Sequence, residues 1–390
     1  MKKNQLAIFG GKPIRKEPFV WKSSMGKEEK EAVLEVVESG RLSVFRGGNK
    51  VREFERKFSD YCNSNYGIAT TSGTTALHTA VSSLGIGPED EVIVPSLTFV
   101  STASIILQQG ARPVFVDIDR ESYCMSAEDL ESKITKKTKA IIPVHIFGHP
   151  AEMNKILSIA RKHGLYIIED AAQAHGAEYK GKKVGSFGDC GCFSFFQTKN
   201  MTCGEGGMVL TNDQKLYKEL RLRREHGSPE NQKTWYAYDV LGFNYNMTEL
   251  QAAIGIVQLE KLDYFNKKRR ENARFYFEKL KKTSLVLPQI KKDVYHVFHN
   301  FPILLPKEIS EVRDNFILAA KAEGVPIDVC YPSPLYKSKI FNEINKGVFC
   351  PNTEDISSRI ITLFTDPCLT KKDLKNISDA VMKVSEYYIR

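Results

Sequence analysis

The sequence predicts an α/β protein. A large domain holds a mostly parallel sheet flanked by helices, and a smaller α+β C-terminal domain follows. Three observations carry this. The chain has 390 residues, more than one hydrophobic core usually serves, since cores stop growing at roughly 250–300 residues. From about residue 50 to 265, short β-like runs alternate with helical patterns, as parallel strands linked by helical crossovers do. Beyond that stretch the pattern changes to a mixed tail.

In chain order, the β-like runs are Tyr66–Thr70, Glu91–Pro95, Pro113–Asp117, Ala140–His145 and Leu165–Glu169. Between them, Thr74–Leu84, Ser101–Gln109, Ala127–Ile134 and Ala151–His163 carry apolar residues at helical spacing. Two further strands, Cys190–Phe196 and Gly207–Thr211, precede a helix over Gln214–Glu225. A long helix runs from Thr248, placed as an N-cap, to about Lys281 without proline. The tail reads as a β-like run over Val294–Leu304, a helix near Ile309–Glu323 and a closing helix over Lys371–Tyr388. The boundary is drawn as 1–265 for the large domain with its N-terminal arm and 266–390 for the small one.

Composition narrows the class. The chain is 42% hydrophobic, 26% charged and 10% aromatic, within the globular norm and unlike disordered, collagenous or coiled-coil sequences. No apolar run nears the ~18 residues of a membrane helix, and Met1-Lys2-Lys3-Asn4-Gln5 does not open a secretory signal. A soluble cytoplasmic protein is expected. The net charge of +9 is spread among acidic residues, so nucleic-acid binding is not expected and a mild pull on anionic substrates is. The clusters Lys267-Lys268-Arg269-Arg270 and Arg221-Leu222-Arg223-Arg224 read as helix faces. The eight cysteines read as reduced, with Cys190 and Cys192 as small buried residues on one face of a strand.

The chemistry is sought where an open parallel sheet binds ligands, at the carboxyl ends of its strands. The first strand runs through Thr71-Ser72-Gly73-Thr74-Thr75 into a helix, whose N-terminal amides suit a phosphate; an ordinary capped turn is the alternative. The second delivers Phe99, as a ring at the mouth or as core. The fifth delivers Asp170, followed by Ala171 and Ala172. A carboxylate after so apolar a strand needs a cation: a metal, a surface arginine or a protonated ring nitrogen. No cluster at ligand spacing supports a metal. Ser194 and Lys199 then flank an aromatic strand ahead of Gly204-Glu205-Gly206-Gly207. Phosphate cradle, stacking ring, buried acid and lysine together specify pyridoxal 5'-phosphate, the acid keeping the ring nitrogen protonated and the lysine holding the ring as a Schiff base.

The ordered blocks Ser72-Gly73-Thr74, Pro95–Phe99, Asp170–Gly176, Phe193-Ser194-Phe195, Thr198-Lys199-Asn200, Gly204–Gly207 and Asn244–Ala253 resemble the DegT/DnrJ/EryC1/StrS family of pyridoxal-phosphate-dependent sugar aminotransferases over nearly the whole chain. The resemblance implies the type I aminotransferase fold and a homodimer with shared active sites. It implies transfer of an amino group from glutamate or glutamine to a keto sugar, usually nucleotide-linked, or to a keto cyclitol such as an inosose. It makes Lys199 the Schiff-base lysine and proton shuttle, pairs Asp170 with the ring nitrogen, brings Gln173 to the ring hydroxyl and stacks Phe99 on the ring. Ser72, Gly73, Thr74 and Ser194 hold the phosphate, Asn244 reaches it from the partner subunit, and His175 lies behind the site.

The chain departs from that family at Asn246, often arginine there, and at Cys330-Tyr331-Pro332 and Pro334-Leu335-Tyr336, where histidine is common. Gly10–Arg15 and Tyr331–Tyr336 look closer to the branch of scyllo-inosose aminotransferases and aminohydroxybenzoate synthase. The rivals are a dehydratase of the same family, which would carry histidine in place of Lys199, and a non-catalytic binding protein on the same fold.

Overall fold

A computed structural model describes residues 5–229 and 237–388; Met1–Asn4, read above as no signal, lies outside them. Two helices open the chain, α1 (Lys27–Ser39) and α2 (Lys50–Tyr61). The alternating stretch follows as β1 (Tyr66–Thr70), α3 (Gly73–Ser83), β2 (Glu91–Pro95), α4 (Ser101–Gln108), β3 (Arg112–Val116), α5 (Ala127–Ser132), β4 (Thr138–Ile141), α6 (Met153–His163) and β5 (Tyr166–Asp170). A small hairpin, β6 (Glu178–Tyr179) and β7 (Lys182–Lys183), precedes β8 (Cys190–Ser194), β9 (Gly207–Thr211) and α7 (Gln214–Arg224). The long α8 (Glu249–Leu280) leads to β10 (Val294–Tyr295), β11 (Asn300–Leu304), α9 (Arg313–Ala322), α10 (Lys339–Asn342), α11 (Pro351–Arg359), β12 (Ile360–Phe364) and α12 (Lys371–Tyr388).

The main sheet has the order β1-β9-β8-β5-β4-β2-β3. Its pairs are parallel except where β9 runs antiparallel to β1 and β8. The expected mostly parallel sheet is therefore present, and the carboxyl ends of β1, β2, β5 and β8 open on one side. Strand alternation sorts β8 between the two faces. Cys190 and Cys192 join Ala76, Leu77 and Ile106 under α3 and α4. Phe193 and the following Phe195 join Phe54 and Phe58 of α2 on the other face, with ring centroids 4.9 Å apart for Phe58–Phe193 and 5.0 Å for Phe54–Phe195. All eight cysteines are free thiols.

A separate core forms around Tyr276, Phe301, Phe316, Leu363 and Val381, from α8, β11, α9, β12 and α12, and it takes in Leu6 of the N-terminal arm. The α8 helix starts as expected: Thr248 accepts from the Gln251 amide in a capping box. One contact of the C-terminal part with the large sheet is a carboxylate at a helix N-terminus. Asp117, just past β3, accepts from the Asn352 and Thr353 amides of α11 at 2.8 and 2.9 Å and from the Thr353 hydroxyl.

Three expectations need correction. The run Val294–Leu304 is broken: β10 pairs with β6, whereas β11 pairs with β12. The chain turns between them at Phe298, which sits at φ 48. The helix expected from Ile309 begins at Arg313, after a 3-10 turn at Lys307–Val312. The basic clusters are not plain surface faces. Arg269 donates to the His299 carbonyl and Thr365 Oγ1, and Arg224 to the Ala69 carbonyl beside Glu55; both are buried because backbone oxygens accept their protons.

The contact of α8 with α2 gives a test. A Cβ on Gly255 would lie 2.8–3.0 Å from three ring atoms of the buried Phe54. Gly255→Ala is expected to cost about 1–3 kcal/mol, read as a lower denaturant midpoint with unchanged slope; a wild-type midpoint would contradict this packing.

Candidate active site

The carboxyl ends of the strands border a cleft of about 1020 Å³. Ser72, Gly73, Thr74, Phe99, Asp170, Gln173, Ser194 and Lys199 all line it. Asn244 and His175 do not. Asn244 sits in a loop laid against the end of α7, bridged to Glu225, and held by Tyr245, whose hydroxyl meets His78 Nδ1 at 2.9 Å. His175 is packed behind β8 among Phe58, Phe193 and Phe195. Burial there, with the Lys199 charge nearby, pushes its pKa down to about 3, so its imidazole stays neutral.

The candidate anion cradle is the start of α3. Ser72 is extended at φ −164 and caps the helix, its side chain accepting from the Thr75 amide. The first amides of a helix have no partner within it and carry its positive pole. A Cβ on Gly73 would lie 2.6 Å from Ser194 Cβ and 3.1 Å from its Oγ. Only glycine brings this helix end so close to the Ser194 hydroxyl, and a phosphate suits the space that remains.

Asp170 ends β5 almost fully buried, at 5% exposure. Thr102 Oγ1 donates to its Oδ2 at 2.8 Å and the Ala172 amide to its Oδ1 at 3.2 Å. Both donors are neutral, so room is left for a cation. Burial raises its pKa against those hydrogen bonds and the attraction of Lys199. Lys199 follows β8 on a turn in which its amide bonds to the Phe196 carbonyl at 2.9 Å. Burial lowers its pKa, opposed by Asp170 and Cys330. The residues present thus fit a flat, phosphorylated pyridine: helix amides and hydroxyls for phosphate, a buried carboxylate for a ring nitrogen, and an amine with reduced charge.

Neighbours set these groups. Gln173 is oriented at both ends, its Oε1 accepting from the Phe147 amide at 2.8 Å and its Nε2 donating to the Tyr331 hydroxyl at 2.6 Å. Glu169, adjacent to Asp170 and pointing to the other face, takes amides of Gly185, Phe187 and Gly188 at 2.6–2.9 Å. It also takes His145 Nε2 at 3.1 Å. His145 Nδ1 accepts from the Ala151 amide, so the ring proton is on Nε2. Sequence reasoning missed Thr102, Glu169, His145, Arg269 and the arm residues Trp21–Met25 that also line the cleft. The Thr98–Thr102 spacing, one helical turn with the hydroxyls 2.8 Å apart, was a usable signal; the arm carries none.

A family model described as the DegT/DnrJ/EryC1/StrS aminotransferase family matches residues 23–382. The UDP-N-acetyl-3-dehydro-alpha-D-glucosamine 3-aminotransferase of Acidithiobacillus ferrooxidans is 42% identical over 337 residues, 86% of this chain and 89% of that one. The GDP-perosamine synthase of Caulobacter vibrioides is 44% identical over 299 residues, 76% and 80% of the two chains. Among solved structures, NtdA of Bacillus subtilis with bound cofactor PMP superposes with a TM-score of 0.83 at 31% identity, over 93% of this chain and 83% of that one.

Two outcomes follow. Glu169→Gln turns an amide toward amide donors and should cost about 2–3 kcal/mol; a loss below about 0.5 kcal/mol by chemical denaturation would mean the carboxylate is not what holds this strand end. Because burial lowers the Lys199 pKa while Asp170 raises it, amine-selective labelling of the protein without cofactor should reach half-rate at Lys199 below the ~10.4 of exposed lysines. Asp170→Asn should lower that midpoint further, and an unchanged or raised midpoint would contradict the coupling.

Proposed function

The chain belongs to the DegT/DnrJ/EryC1/StrS aminotransferase family and is a pyridoxal-phosphate-dependent aminotransferase, and on that premise we propose that it moves an amino group from glutamate or glutamine to the carbonyl of a nucleotide-linked keto sugar. The observation that carries the reading is the meeting of Asp170 and Lys199 in one cleft with the start of α3. The names of the two relatives, for a UDP-linked and a GDP-linked sugar, support a nucleotide sugar as acceptor.

When bound, pyridoxal phosphate supplies a ring that takes up the electrons left as a proton departs from the carbon bearing nitrogen. The chain's own groups do the rest. Gly73 and Thr74 amides with the Ser72 and Ser194 hydroxyls hold the phosphate. Asp170 faces the ring nitrogen and keeps it protonated. Phe99, 58% exposed, would cover the ring, and Gln173 would approach its hydroxyl. Lys199 Nζ would hold the cofactor and, when free, would be the amine that takes up and returns the migrating proton. Its lowered pKa suits that work, since a neutral amine is the form that accepts a proton. Lys199 also speaks against the dehydratase reading.

The active unit in this proposal is a homodimer with shared sites. The Asn244 loop is bound to α7 of its own chain and does not line its own cleft, which supports a role at a neighbour's phosphate. Exposed Leu34, Val37, Leu42 and Phe45 give apolar surface for such contact. A two-fold dimer would give each subunit one partner Asn244 and take one from it.

Three experiments test this. Lys199→Ala should abolish transamination while cofactor still binds by dialysis; near-normal turnover would overturn the role. The pyridoxamine phosphate form, mixed with UDP- and GDP-linked keto hexoses, inososes and ordinary 2-oxo acids, should revert spectrally with a nucleotide-linked keto sugar; reversion by 2-oxo acids alone would overturn the acceptor class. Mixing Lys199→Ala with Asn244→Ala subunits should restore part of the activity, and no recovery where subunits demonstrably exchange would mean Asn244 serves its own chain.

A further inference from the structure

We infer that the N-terminal arm carries the platform for the acceptor's hydroxylated ring, with Trp21 as the residue on which that ring stacks; this rests on the sugar-aminotransferase reading above. Three large aromatic side chains stand exposed in the cleft, Phe99 at 58%, Trp21 at 51% and Phe196, beside Lys199, at 41%. Phe99 follows β2 and is accounted for by the cofactor ring. Trp21 comes from the arm, and nothing in the chemistry so far uses it. A half-exposed indole at the mouth of a cleft is the kind of apolar surface that ligands cover.

The indole is held, not loose. Its ring lies 4.8 Å from Phe364 at 77° and 5.0 Å from Phe19 at 65°, both edge-on. Phe364 ends β12, so the platform is fixed to the small core. The arm itself is clasped. The fully buried Glu323 accepts the Ala7 and Ile14 amides at 2.8 and 3.0 Å and pairs with Lys383 at 2.8 Å. Arg15 pairs with Asp373 at 2.6 Å and lies over the Phe19 ring. Such preorganisation lowers the entropy lost when a ligand binds.

The polar groups nearby on the same wall are those a sugar needs. Asp366 Oδ1 accepts the Cys368 amide, but the nearest described cation to its Oδ2 is Arg269 at 4.0 Å. Among the described residues, Asn300 Nδ2 has only a long contact, 3.5 Å, with Cys330 Sγ. Both residues line the cleft with Trp21 and keep capacity for new hydrogen bonds. An apolar ring face bordered by a carboxylate and a carboxamide matches a pyranose, whose C–H face lies on the indole while its hydroxyls reach the two polar side chains.

The chain has two tryptophans, so Trp235→Phe leaves Trp21 as the only one and its emission as a direct reporter. UDP-N-acetylglucosamine and GDP-mannose serve as non-reacting probes, with UDP and GDP alone as controls. A saturable change in Trp21 emission is expected with at least one nucleotide sugar and with neither free nucleotide. By equilibrium dialysis, Trp21→Ala should weaken that probe about fivefold to tenfold, and Trp21→Phe should recover most of it, which a folding defect would not allow. No saturable change with either sugar, an equal change with free nucleotide, or unchanged affinity in Trp21→Ala would overturn the inference. Failure of the underlying reading is seen separately, as inability of glutamate and glutamine to convert the cofactor spectrum of the unsubstituted chain.

Discussion

An acid and an amine that burial pushes toward neutrality, and that attract one another, set the terms for the cleft. Asp170 is held above its usual carboxylate range and Lys199 below its usual amine range, each partly opposed by the other. Removing either charge from water is costly, so the surroundings must return something. Thr102 and the Ala172 amide do so for Asp170. Among the described residues neither group is in a direct salt bridge, and a lowered lysine pKa enlarges the share of amine that can accept a proton.

Around this pair the fold works by strand parity. On β5, Glu169 and Asp170 are successive residues and so face opposite ways. Glu169 goes to the amides of Gly185, Phe187 and Gly188 and to His145, fixing the strand end; Asp170 goes to the cleft. On β8 the same alternation sends Phe193 to the aromatic layer with α2 and Ser194 to the helix end at Gly73. One residue of slip would exchange a core ring for the hydroxyl beside Gly73, which is why register matters more here than the strength of any single contact.

The strands that position the cleft were legible because they are short apolar runs between turns; β1, β2 and β9 begin and end where the pattern does. The cradle, acid and lysine were legible because each follows such a run. What was not legible depends on contacts distant in sequence. The α1 and α2 helices went unremarked because their charged residues dominate: of α1 only Glu29 and Val36 are buried. Arg269 reads as part of a helix face until His299 and Thr365 are brought to it from just before β11 and just after β12. The break at Phe298 has no local signal, because it exists to let β10 and β11 join different sheets. Trp21 becomes a cleft residue only once Glu323 clasps the arm.

The most direct test of the account is to find which amine holds the cofactor. Protein loaded with pyridoxal phosphate is reduced with borohydride, digested, and mapped by mass spectrometry. The account predicts one stoichiometric phosphopyridoxyl group, on Lys199, and loss of that label when Asp170 and Lys199 are kept but Gly73 is replaced by a residue that closes the cradle. Stoichiometric label on another lysine, or none on Lys199 in protein that binds the cofactor, would contradict it.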